Sequence, residues 1–115
     1  MKENIIKEKT FAFGIRIVKL CKYLEETKRE YVLTSQLKRS GTAPGAMVRE
    51  AEHAESKKDF IHKMAIALKE ANESNYWILM LKAGAYISQK EFDSINSDCE
   101  EIIKILAAIV KSSRT

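Results

Sequence analysis

The sequence is poor in residues that break, staple or ligate: 115 residues include one proline, four glycines, two cysteines and two histidines. So little proline and glycine excludes collagen-like and low-complexity chains, and a hydrophobic fraction of 45% excludes a disordered tail. Cys21 and Cys99 form no CxxC pair, and each falls at an apolar helical position. They read as buried thiols, not as a disulfide or zinc site, which suits a reducing cytoplasm. Long apolar runs are missing too. The longest stretch without a charge, Ser40 to Val48, is nine residues, against the ~20 that cross a bilayer. The opening Met1-Lys2-Glu3-Asn4-Ile5-Ile6-Lys7 lacks the apolar segment and small-residue cleavage site of a secretory signal. The expectation is a cytoplasmic protein without a membrane partner. Two histidines also leave little general-base capacity, and no serine, cysteine or threonine has a histidine and an acid at a readable spacing. The chain reads as a non-enzyme that needs no cofactor.

What is abundant is apolar spacing of three and four residues, so the reading is all-α. Period-two alternation is confined to Phe11, Phe13, Ile15 and Ile17. Ile95, Cys99, Ile102, Leu106 and Ile109 form one stripe, preceded by Ser88-Gln89-Lys90-Glu91, in which a serine oxygen and a glutamate can cap a helix reciprocally. Ser56-Lys57-Lys58-Asp59 opens another helix through Ile61, Met64, Leu68, Ala71, Asn75 and Ile78. A first helix carries Phe13, Ile17, Leu20 and Leu24, with Phe11, Ile15 and Val18 beside them, starts near Thr10 and frays through Glu25 to Glu30. The second contains both Gly41 and Gly45 as well as Pro44, yet Leu33, Leu37, Ser40, Pro44, Met47, Ala51 and Ala54 keep helical spacing straight through. One helix bent at Pro44 is therefore predicted. The result is a single domain, 1–115, with helices over roughly 10–27, 31–54, 57–84 and 89–112. Short connections favour antiparallel neighbours, hence an up-down-up-down four-helix bundle.

Two features point outward. Tyr76-Trp77-Ile78-Leu79-Met80-Leu81 is apolar on every side of its helix, more than a lone bundle of this size covers. The small residues at Gly41 and Gly45 let another backbone come close, as an internal contact or as a subunit seam. Tyr76, Trp77, Met80, Gly41 and Gly45 are thus the candidate seam of a homo-oligomer. The second feature is charge. The net charge is +4, and the excess lies in the front half, with thirteen Lys and Arg against eight Asp and Glu up to Lys58. Arg16, Lys19, Lys38, Arg39, Arg49, Lys57 and Lys58 are the candidate phosphate contacts for RNA or DNA, since an oligomer multiplies a modest bias into a field. A phosphate loop finds no support, because Gly41 and Gly45 lack a Gly-Lys-Ser/Thr ending. A metal alternative pairs Glu50 with His53 and Asp59 with His62, the carboxylate-to-histidine spacing of di-iron bundles, but the further inward carboxylates are lacking.

Several segments together resemble a known family. They are Phe11-Ala12-Phe13-Gly14-Ile15-Arg16-Ile17, Gln36-Leu37-Lys38-Arg39-Ser40-Gly41-Thr42 with Gly45-Ala46, and Ser56-Lys57-Lys58-Asp59-Phe60-Ile61. Ala67-Leu68-Lys69-Glu70-Ala71, Glu73, Tyr76-Trp77 and Cys99-Glu100-Glu101-Ile102-Ile103-Lys104-Ile105-Leu106 complete the set. In order and spacing they resemble the four-helix-bundle proteins that include those encoded in intervening sequences of bacterial 23S ribosomal RNA genes. Met47 and Pro44 depart from the residues usual there, an asparagine and an aliphatic side chain. The resemblance implies an antiparallel four-helix bundle assembled as a ring-like homopentamer. A related group, accessory proteins of diversity-generating retroelements, implies nucleic acid and a reverse transcriptase as partners. A scaffold docking such an enzyme, or a ribosome-associated factor, is the alternative function.

Overall fold

Helical spacing in the sequence becomes four helices in the computed structural model, which describes residues 2–115. They are α1 (Lys2–Lys28), α2 (Val32–Ala51), α3 (Lys57–Ala83) and α4 (Gln89–Ser113). Met1 lies outside the described residues. Each helix packs on its sequence neighbour, and α4 returns to α1 through the slightest of the four seams. The result is an antiparallel up-down-up-down bundle, a rod of 44 × 21 × 19 Å with no strand among the described residues. Its core is one continuous apolar column that includes Phe13, Ile17, Leu24, Leu37, Met64, Ile78, Leu81, Ile102 and Leu106.

The helix ends follow from local chemistry. Ser88 Oγ accepts from the Glu91 N–H at 3.1 Å, and the Glu91 carboxylate accepts from the Ser88 N–H at 2.7 Å, a complete capping box. Ser56 Oγ accepts from the Asp59 N–H at 3.0 Å. The start of α2 is capped by a residue that the spacing had assigned to a fraying end. The nearly buried Glu30 carboxylate accepts from the Leu33 and Thr34 N–H groups, both at 3.0 Å. Arg29, at φ 56°, turns the chain into that position. After α3 the Tyr86 N–H reaches the Leu81 carbonyl and the Ala85 N–H the Lys82 carbonyl, a Schellman closure. Ala85, at φ 65°, occupies its left-handed position while Gly84 stays right-handed.

Two boundaries differ from the sequence reading. α1 begins at Lys2, well ahead of Thr10, because Ile6 and Thr10 extend the buried stripe by further turns. α2 ends at Ala51 instead of residue 54, where Glu52 and His53 turn toward α3. Through Pro44 the helix is unbroken. Around it α1 and α2 come very close: a β-carbon on Gly41 would stand 2.8 Å from Ile17 Cγ2, and one on Gly45 3.5 Å from the Thr10 carbonyl oxygen. Ser40 and Ser74, both fully buried, join α2 to α3 by a 3.1 Å hydroxyl bond.

Three substitutions test this account by urea denaturation. Gly41→Ala destabilises by roughly 1–3 kcal/mol, since the fully buried, β-branched Ile17 has nowhere to move. Gly14→Ala is neutral or gains up to about 1 kcal/mol, because its β-carbon would meet nothing nearer than 3.8 Å. Ala85→Gly gains about 1 kcal/mol by relieving the left-handed backbone.

Candidate interaction surfaces

Two apolar faces stand out among those that the described residues leave outside the core, beside a further patch at Ile5, Ile105 and Ala108 between α1 and α4. On α1, Phe11, Ile15 and Val18 are exposed by 56%, 41% and 44%. They recur at steps of four and three, on the side of α1 that meets α2. With Gly14, Gly45 and Ala46 they line a shallow groove of about 210 Å³. Arg49 closes one end, its guanidinium 5.7 Å from the centre of the Phe11 ring. The sequence places these three side chains beside the first helix's apolar seam, without setting them apart as an exposed face. The alternation of Phe11 and Ile15 with the buried Phe13 and Ile17 was the signal that they belong to a second face.

The other face is a ridge on α3. Of the run from Tyr76 to Leu81, Ile78 and Leu81 are fully buried, while Tyr76, Leu79 and Met80 stay exposed on the outer side. Trp77 is half-buried. Its indole N–H donates to Glu73 at 2.9 Å, and the Tyr76 ring meets it edge-on at 5.0 Å. The five expected seam residues therefore divide: Tyr76 and Met80 face outward, Trp77 is tied inward, Gly45 borders the groove, and Gly41 is enclosed between α1 and α2.

The basic residues divide as well. Arg16 grips Asp98 at 2.6 Å and Ser94 Oγ at 2.9 Å, joining α1 to α4. Lys38 meets Glu25 at 2.8 Å across α1 and α2. Arg39 reaches Glu70 at 2.9 Å and also Glu73, clasping α2 to α3. Lys57 donates to the Thr115 backbone oxygen at 3.4 Å. Lys19, Arg49 and Lys58 have no carboxylate within ion-pairing distance among the described residues, and all three are exposed. The seven form no single patch. Arg16, Lys19, Lys38 and Arg39 are strung along the rod, whereas Arg49, Lys57 and Lys58 gather near the α2–α3 turn.

The residues weighed for a metal, Glu50, His53, Asp59 and His62, lie around the same turn. Among the described residues no group of three or more His, Cys, Asp or Glu could hold a metal ion. Asp59 accepts from the Glu55 N–H at 3.2 Å and Glu50 pairs with Lys63 at 3.2 Å, so these carboxylates serve the turn and the α2–α3 seam. Both cysteines are free and buried. Burial, with Glu25 nearby, pushes the Cys21 thiol up to about 12, and burial, with Glu100 nearby, does the same for Cys99. Among the described residues no helix is long and apolar enough to cross a membrane.

The match to known proteins runs along nearly the whole of this architecture. Residues 2–108 match the family described as 23S rRNA-intervening sequence protein. The chain belongs to that family. It is also similar to a crystal structure of a protein of unknown function from the S23 ribosomal protein family of Bacteroides thetaiotaomicron. The identity is 49% and the TM-score 0.95, over 96% of this chain and 99% of that one. No curated protein matches. Membership in the intervening-sequence family accords with the four-helix architecture and with the resemblance carried by the Gly14, Gly41 and Gly45 segments.

Two measurements follow from these environments. The thiols of the native protein stay unlabelled by iodoacetamide at pH 8 and react on unfolding, because only thiolate is nucleophilic and burial suppresses it. Acid should loosen the α1 contacts. Hydrogen bonding from Lys38 holds Glu25 below its ordinary value, and Lys7 does the same for Glu52. Their stabilisation is fully present above the ordinary carboxylate range and is lost as pH falls through the depressed folded values. Lys38, raised by Glu25, loses its share only in strong alkali. In urea titrations at pH 7 and pH 3, the Glu25→Gln/Glu52→Gln protein should show a smaller acid loss than the parent.

Proposed function

We propose that this protein is a non-enzymatic, cytoplasmic homo-oligomer, a pentamer by family resemblance, whose assembled copies bind RNA or DNA through phosphates with little sequence readout. The observation that carries the proposal is the pair of solvent-facing apolar surfaces, Phe11–Ile15–Val18 and Tyr76–Leu79–Met80, on opposite parts of one small bundle. Faces of that kind are usually covered by a partner. The family's association with ribosomal RNA genes and the +4 charge of each chain support the nucleic-acid half. Pooled over five copies that charge is ~+20, enough to attract a polyanion strongly.

Within this reading the cations are unequal. Lys19, Arg49 and Lys58 meet phosphate without first releasing a carboxylate, while Arg16, Lys38 and Arg39 must give up in-chain partners. Their in-chain pairing also favours the second reading, a scaffold that docks an enzyme such as a reverse transcriptase and leaves nucleic acid to it.

Light scattering coupled to gel filtration should return a multiple of the 13.1 kDa chain mass. In gel-shift titrations with a random-sequence RNA and DNA, Lys19→Ala/Lys58→Ala should weaken binding several-fold and reduce its salt slope by about 2, one for each lost phosphate contact. Lys38→Ala/Arg39→Ala should do less. No binding by the parent at low salt would overturn the nucleic-acid half, and capture of a protein partner that persists after nuclease treatment would favour the scaffold.

A further inference from the structure

We propose that the α1/α2 groove of one copy receives the α3 ridge of the next, so that copies join head to tail through two different surfaces. The inference deepens the self-association reading above and rests on it. The first argument is shape. The groove is floored by Gly14, Gly45 and Ala46, which leave room for side chains entering from outside, while Tyr76, Leu79 and Met80 project from a single helix. Groove against groove would leave the depression unfilled, and ridge against ridge would bury neither copy's groove.

The second argument is charge. The groove is bordered by Lys19, Lys22 and Arg49 against one carboxylate, Glu8, and all four are exposed. The ridge is bordered by Asp93 and Glu100 on the exposed side of α4 against Lys69, while Glu73 on its own helix is already matched by Arg39. α4 is oriented there by the 2.6 Å bond from Asn75 to Asn96, and Asp93 and Glu100 lie one turn to either side of Asn96. A like-with-like seam sets each border against its own sign; a head-to-tail seam sets basic against acidic.

Height along the rod sets how the ridge enters. The α1–α2 and α3–α4 turns share one end of the rod. At ~1.5 Å per residue the groove, Val18 to Phe11, runs from roughly 15 to 25 Å from that end and the ridge, Tyr76 to Met80, from roughly 10 to 5 Å, so the ridge seats when the neighbouring bundle is inclined or shifted by roughly 10–15 Å along the rod. Because the surfaces differ, each added copy leaves one groove and one ridge open until a ring closes.

The test uses the full chain with single cysteines added by Val18→Cys or Tyr76→Cys, the two versions carrying different tags and co-expressed, then treated with a short bismaleimide. The native thiols are buried, so the parent gives no cross-link, and circular dichroism checks that both variants fold. The expected product is a cross-link between the Val18→Cys and Tyr76→Cys chains, with each variant alone giving none. Cross-links within one variant, with light scattering still above one chain, would overturn this seam and leave self-association standing. A single-chain mass for the parent would overturn both.

Discussion

The architecture depends on how closely α1 and α2 approach. A β-carbon at Gly41 would collide with Ile17, and at Gly14 and Gly45 the two backbones meet with only ordinary van der Waals clearance. That approach has two effects. It draws Phe13, Ile17, Cys21 and Leu24 fully into the common core. It also leaves the residues one step round α1, Phe11, Ile15 and Val18, outside, over a floor of small side chains. The outer groove is thus a by-product of the inner contact, and a bulkier α2 would lose both.

Around this dry centre the helices are held at their edges by charge. Lys7 to Glu52, Lys38 to Glu25, Arg39 to Glu70 and Glu73, and Arg16 to Asp98 connect each helix to its neighbour or to the adjoining turn. Exposed pairs of this sort add little stability individually. Their larger consequence is electrostatic, because they match basic side chains that would otherwise face solvent unpaired. Of the candidate phosphate contacts, the unpaired Lys19 and Arg49 lie beside the apolar groove and Lys58 at the α2–α3 turn, which ties part of the electrostatic reading to the same region as the apolar one.

Much of the fold was legible because helical periodicity is local. The stripe from Ile95 to Ile109 and the Ser88–Glu91 cap need only the chain around them, and both stand as the spacing predicts. The start of α1 was missed because charged residues at Lys2, Glu3, Lys7, Glu8 and Lys9 dilute a stripe that Ile6 and Thr10 nonetheless continue. Glu30 was read as a solvated end because nothing in its spacing says that Arg29 turns left-handed and aims the carboxylate at two N–H groups. The candidate surfaces were half legible. Tyr76 and Met80 stood out as surplus apolar residues, while Phe11, Ile15 and Val18 were hidden among core residues of the same helix.

Periodicity, capping and short connections determined four antiparallel helices, most of their core faces and the buried thiols, and short charge-free runs left no segment apolar enough to span a bilayer, since each follows from a few consecutive residues. Only the tertiary structure decided which small residues are enclosed and which line a groove, and which cations are already matched. Those properties depend on pairs far apart in the chain, Gly41 with Ile17 or Arg16 with Asp98, whose separation is set by how the helices pack and not by any local pattern.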